Sequence, residues 1–165
     1  MAKALALDSN LILLFAVGRA EQGLVSRPKR LSVFNDEDYR LLAGYLLNSR
    51  KVVATPNALT EAVNLASYGQ SEPSLSRIMA SLKSLINQVE EVFVPSRKAS
   101  EHEDFFRLGL TDCAWLSLLD SDTDLLTMDR ELYALSITHI SRPDIDADLD
   151  VGQTGQPAPH DSVAG

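Results

Sequence analysis

The chain has a single cysteine, Cys113, among its 165 residues. No intrachain disulfide can form, which suits a reducing compartment. It also lacks an uninterrupted apolar run of the ~20 residues that a membrane helix needs. Its most apolar stretch, KALALDSNLILLFAV from Lys3 to Val17, is broken by Asp8-Ser9-Asn10. A secretory signal needs an unbroken apolar centre, so a soluble, cytoplasmic chain with no membrane partner is expected. There is no glycine-rich phosphate loop and no internal repeat. The three histidines, His102, His139 and His160, lack the spacing of a metal site and read as surface residues. A nucleophilic thiol would need a histidine base in reach. Cys113 therefore reads as a small buried helix residue.

Positive charge is scarce as well. Fifteen Lys and Arg stand against 23 Asp and Glu, for a net charge of -8. At first this argues against a nucleic-acid partner, but its distribution matters more. Residues 144–165 carry Asp144, Asp146, Asp148, Asp150 and Asp161 with no Lys or Arg. Without those five, 18 acids remain against the 15 basic residues, so the body is only mildly acidic. Beyond Pro143 the composition also turns rich in Gly, Pro and Ala. The expectation is one domain over 1–143 and a disordered acidic tail over 144–165. The basic cluster holds Arg27, Lys29 and Arg30 around Pro28. It reads as a solvated loop or as a contact for RNA phosphates.

What is present is a repeated alternation of apolar elements. KALALD (3–8) reads as a strand, followed by the apolar helix LILLFAVGRA. Asn35 then caps a helix to about Asn48, with Asp36, Glu37 and Asp38 in its first turn. Phe34 and Tyr39 take the hydrophobic-staple positions of that helix. KVVAT (51–55) is a second strand, and Thr55-Pro56 starts a helix carrying Leu59, Glu61, Ala62, Leu65 and Ala66. An amphipathic helix over 75–89 presents Leu75, Ile78, Met79, Leu82, Ile86 and Val89. EVFVP (91–95) reads as a strand. A helix from Ser100, with a capping box to Glu103, should end near Gly109. Thr111 should cap DCAWLSLLD. DLLTMD (124–129) reads as a strand, RELYAL as a short helix and ITHI (137–140) as a last strand. This order predicts a three-layer α/β/α fold with a mostly parallel sheet of about five strands.

In such folds, sites form beyond the carboxyl ends of the strands. Asp8 and Asp129 end two predicted strands, Asp112 follows the Thr111 cap, and Glu61 lies in the helix leaving KVVAT. Each acid has a plain structural reading: Asp112 near a helix dipole, Glu61 on a solvated face, Asp129 capping RELYAL. Asp8 is hardest to explain so, because an unpaired charge in an apolar run is costly. Carboxylates held about 4 Å apart repel by roughly 4 kcal/mol per pair at an effective dielectric near 20. Four together call for shared protons or a cation, and an all-oxygen donor set suits Mg²⁺ or Mn²⁺.

Four segments carry a resemblance to a known family: LALDSN, TPNALTEAVNL (55–65), LGLTDCAWL (108–116) and LLTMDREL (125–132). In order and spacing they resemble PIN-domain ribonucleases, the toxins of many bacterial toxin–antitoxin pairs, over residues 3 to about 141. The resemblance implies that Asp8, Glu61, Asp112 and Asp129 ligate Mg²⁺ or Mn²⁺, with Asp8 and Asp112 the principal ligands. It implies an endoribonuclease in which a metal-activated water leaves a 5′-phosphate and a 3′-hydroxyl. Asn10, Thr111 and Thr127 would orient the acids or a bound water. RNA is then the substrate, an antitoxin the protein partner, and a homodimer the expected assembly. Residues 19–35 and the acidic tail have no counterpart in the family pattern.

Two other readings compete. A PIN-like module kept only for binding RNA or protein would have no reason to tolerate the repulsion of four acids. A phosphatase with an aspartyl nucleophile at Asp8 would want a second aspartate two residues on, where Asn10 stands.

Overall fold

The computed structural model describes residues 3–20, 31–68, 70–119 and 122–140, the side chains of 137–140 excepted. The basic cluster Arg27, Lys29 and Arg30 and the acidic segment 144–165 lie outside the described residues. Among the described residues there are four strands and seven helices, in the order β1 (Ala4–Leu7), α1 (Ser9–Ala20), α2 (Asp36–Asn48), β2 (Lys51–Ala54), α3 (Pro56–Ser67), α4 (Ser74–Ile86), β3 (Glu90–Glu91), α5 (Ser96–Ser100), α6 (Phe105–Leu116), β4 (Thr123–Leu126) and α7 (Arg130–Ile140). All pairings are parallel, in the order β3-β2-β1-β4.

β1 is interior to this sheet, and its Ala4, Ala6 and Leu7 are buried. The chain steps from β1 to β2 to β3 in one direction, then returns across the sheet to β4. Right-handed crossovers put α1 to α4 on one face and α5 and α6 on the other. The packing agrees, since α1 lies against α2, α3 and α4, and α6 against α5 and α7. α1 is buried along nearly its whole length, from Leu11, Ile12, Leu13 and Leu14 to Ala16, Val17 and Gly18. A helix apolar all round belongs in the interior. Among the described residues no helix is long and apolar enough to cross a membrane.

Several local signals have the expected outcome. Asn35 Oδ1 accepts from Glu37 N (2.7 Å) and Asp38 N (3.2 Å), and Asn35 N donates to Asp38 Oδ2 (2.8 Å). Thr55 Oγ1 accepts from Ala58 N at 3.1 Å, with Pro56 in the first turn of α3.

Other expectations are corrected. The sheet has four strands, not five, because residues 137–140 continue α7. ITHI has β-branched residues, but no Gly or Pro separates it from RELYAL. Extending a helix is cheaper than starting a new element, and β propensity yields to context. The strand expected at 91–95 is confined to Glu90–Glu91, with Val92 N still donating to Ala54 O at 2.9 Å. Beyond it Phe93 is 75% exposed and Val94 joins a small second core with Ala99, Cys113 and Ala114. The capping box at Ser100 does not form. Ser100 ends α5, and its Oγ donates to Arg97 O at 2.8 Å. In α4 the buried face is Ile78, Ser81, Leu82 and Leu85, whereas Met79 and Ile86 lie outward. β4 stops at Leu126, so Asp129 is not at a strand end.

Candidate active site

The register of the sheet assembles the site. Leu7 of β1 pairs with Leu126 of β4, and Ala6 with Val53 of β2. One step further along each strand come Asp8, Thr127 and, one residue beyond Ala54, Thr55 at the start of α3. All three stand at the carboxyl edge of the sheet. The chain leaves β1 toward β2 on one side while β4 flanks it on the other, the arrangement that opens a crevice in doubly wound folds.

Asp8 is 5% exposed. It is tied down on both carboxylate oxygens. Leu11 N donates to Oδ1 at 2.7 Å, and the Thr127 hydroxyl donates to Oδ2. Ile12 N donates to the Asp8 carbonyl at 3.0 Å, so Asp8 caps α1. Burial raises its pKa above the ordinary carboxylate value. The Thr127 hydroxyl and the N–H groups of Leu11, Met128 and Asn10 pull the other way. Asn10 thus acts on Asp8 through its backbone.

Thr127 continues the chain of contacts. Its Oγ1 accepts from Asp129 N at 3.0 Å while its hydroxyl is donated to Asp8. Asp129 Oδ1 in turn accepts from Glu131 N (2.8 Å) and Leu132 N (3.1 Å), capping α7. The capping reading of Asp129 is therefore correct as far as it goes.

Glu61 and Asp112 differ from these two. Among the described residues neither carboxylate has a hydrogen bond or an ion pair. Both line an open cleft of ≈550 Å³ between α3 and the Leu108–Thr111 segment of α6, two helices in contact there. The pKa of Asp112 is pushed up to about 6, first by burial and then by the charges of Asp129, Glu61 and Asp8 in that order. The other three sequence-predicted acids thus all bear on Asp112. Thr111 lines the cleft beside Asp112 but, unlike Thr127, makes no hydrogen bond to the acids.

α6 is not a regular helix. At Gly109 the backbone takes φ 80° and ψ -176°. This region is essentially restricted to glycine. The break falls where the sequence predicts a helix end, and it sits in the cleft wall three residues before Asp112.

Other reactive groups are spoken for. Cys113 is buried, and burial followed by the Asp112 and Asp104 charges pushes its thiol pKa up, away from nucleophilic thiolate. His102 Nδ1 accepts from Asp104 N at 3.1 Å. Arg107 bridges Asp104 and Glu131, holding the start of α6 to α7.

Asn57, Thr60 and Asn64 also line the cleft and are absent from the expected site. A signal for them exists in TPNALTEAVNL. Positions 57, 60, 61 and 64 share one helical face.

By chemistry alone, the all-oxygen donors Glu61 and Asp112, which share the cleft and have no partner among the described residues, are of the type a hard divalent cation takes, whereas Asp8 and Asp129 are not among the residues that line it. Among the described residues no three His, Cys, Asp or Glu gather closely enough to enclose one ion. No family model matches the chain, and no curated protein matches it.

Proposed function

We propose that the chain is a metal-dependent endoribonuclease of PIN-like type, hydrolysing RNA phosphodiester bonds at the carboxyl edge of its sheet. One observation carries the reading. Asp112 is partly buried in a cleft wall, has no hydrogen-bonding or ion-pair partner among the described residues, and is pressed by three other carboxylates. Such a group is a liability to the apo fold and an asset only beside a cation.

Asp8 and Asp112 would hold Mg²⁺ or Mn²⁺, with Glu61 and Asp129 adding negative charge that bears on Asp112. When bound, such an ion stabilises charge on a phosphodiester and lowers the pKa of a nearby water. The protein's own part is positioning. The Leu11 N–H and the Thr127 hydroxyl fix the Asp8 carboxylate, and the Thr127 oxygen fixes the turn that carries Asp129. Glu61 stands on a helix whose start is clamped by the Thr55 cap.

Incubation with single-stranded RNA and Mn²⁺ is expected to give fragments with 5′-phosphate ends, and EDTA to abolish the cleavage. Mn²⁺ at about 100 times its Kd should add roughly 2.7 kcal/mol to the folded state, raising Tm by roughly 5–10 °C. A non-catalytic binding module is the competing reading, and the capping roles of Asp8 and Asp129 favour it for those two residues. It gives Glu61 and Asp112 no role, and it predicts neither cleavage nor a Mn²⁺-dependent shift.

Thr127→Val keeps the shape of the side chain and removes its hydroxyl. It is expected to weaken Mn²⁺ binding by roughly 10–100-fold. A titration of Tm against Mn²⁺ reads this directly. Unchanged affinity would show that Thr127 is only a link between β4 and α7.

The proposal extends to a toxin role in the cytoplasm, with an antitoxin protein as partner. Growth arrest on expression, relieved by co-expression of that partner, is the cellular readout.

A further inference from the structure

The cleft has a second kind of wall. Beside Glu61 and Asp112, α3 presents Asn57, Thr60 and Asn64, and among the described residues the cleft lining includes no Lys or Arg. Thr60 and Asn64 are exposed and Asn57 is half-buried, and none has a side-chain hydrogen bond among the described residues. From Asn57 to Asn64 is seven residues, about 10.5 Å along a helix at 1.5 Å per residue. Nucleotides in a stacked strand repeat every 3.4 Å or so, so the row spans about three of them.

The charges decide which part of a nucleotide meets this row. The carboxylates repel phosphates everywhere except where a cation bridges them. Among the described residues no positive side chain on the cleft wall offsets that repulsion. The neutral parts of a strand are therefore favoured against Asn57, Thr60 and Asn64. An Asn side chain presents a donor and an acceptor side by side. A phosphate has acceptors only and would leave the Asn carbonyl unmatched, whereas a base edge offers both. Only an unpaired strand exposes those edges to such a row.

We propose that Asn57, Thr60 and Asn64 are the specificity-determining residues of the cleft, hydrogen-bonding base edges of an RNA strand whose scissile phosphate lies beside Glu61 and Asp112. This rests on the nuclease reading given above. It assigns sequence preference to α3, over two or three nucleotides next to the cut.

The test maps cleavage sites in a random-sequence single-stranded RNA pool with Mn²⁺, for the natural protein and for Asn57→Ala, Asn64→Ala and the double variant. The natural protein should show a base preference at two or three positions beside the cut. Each single variant should flatten it at a different position, and the double variant should raise KM about tenfold with a smaller change in kcat. Asn57→Asp and Asn64→Asp should suppress cleavage more strongly than alanine, since they add charge where neutral groups face the strand. An unchanged site map and KM in the double variant overturn the assignment while leaving the nuclease reading intact. No cleavage by the natural protein overturns both. Melting curves of each variant separate a lost contact from a lost fold, because all three positions lie at the cleft surface rather than in the core.

Discussion

Asp112→Asn is expected to abolish cleavage while making the metal-free protein more stable at pH 7.5. On the proposed nuclease reading, the loss follows from removing a principal ligand. Metal assistance is worth several kcal/mol of transition-state stabilisation, and 1.36 kcal/mol is tenfold in rate. A drop of roughly 10³-fold or more is the expected scale. The gain in stability follows from the raised pKa. In the folded chain burial and the neighbouring carboxylates push the Asp112 carboxyl up to about 6 from its ordinary 3.8. The folded state therefore holds its proton more tightly than the unfolded state. Stability from this group is full below pH ~3.8, falls as the pH rises through about 6, and is flat above that. A shift of this size corresponds to about 3 kcal/mol, and partial exposure and screening reduce it to about 1–2 kcal/mol. Asp8, raised by burial, moves in the same direction.

The asparagine variant should therefore melt a few degrees higher than the natural protein at pH 7.5 without metal, and at about the same temperature near pH 4. Added Mn²⁺ should reverse the order, since only the natural protein gains from it. Melting curves at the two pH values, with and without Mn²⁺, read all of this. A folded Asp112→Asn protein that cleaves RNA at the natural rate would remove Asp112 from the site.

Gly109→Ala is expected to have the next largest effect. A Cβ at Gly109 would meet no atom within 4 Å, so crowding is not the issue. The penalty is the backbone, φ 80° with ψ -176°, at about 1–3 kcal/mol for a residue with a side chain. In a chain of this size that lowers Tm by roughly 2–10 °C. A local relaxation toward regular helix would also turn the residues that follow, Asp112 among them. Cleavage and the Mn²⁺-dependent shift should then fall together. Gly44 in α2 provides the control, because a Cβ there also meets nothing within 4 Å and no positive φ is required. Gly44→Ala should stabilise by about 0.5–1 kcal/mol. Equal effects at the two glycines would show that the α6 break carries no strain.

Much of the candidate site could be read along the chain because its parts are local. Asp8 follows an apolar strand, Thr55-Pro56 starts a helix with Glu61 on it, and Gly109 interrupts α6 just before Asp112. Each is a statement about a few neighbouring residues and their backbone preferences. The polar row Asn57, Thr60 and Asn64 was equally local, but neutral amides and hydroxyls carry no charge to draw attention. The fifth strand failed for a physical reason. The β preference of ITHI is weak beside the cost of ending a helix with no breaker, and four residues cannot outweigh it.

The plain roles of two acids were harder to see. Asp8 caps α1 and Asp129 caps α7, so neither needs a cation to justify its presence. Sequence alone determined the parallel α/β plan and the helix caps at Asn35 and Thr55, because periodicity and capping act over a few residues, and it named the four acids as candidates. Only the tertiary structure decided that Thr127 bonds Asp8 across 119 residues and that all three other acids act on Asp112. Strand register brings those groups together, and register is a property of pairing between strands that no single stretch of sequence contains.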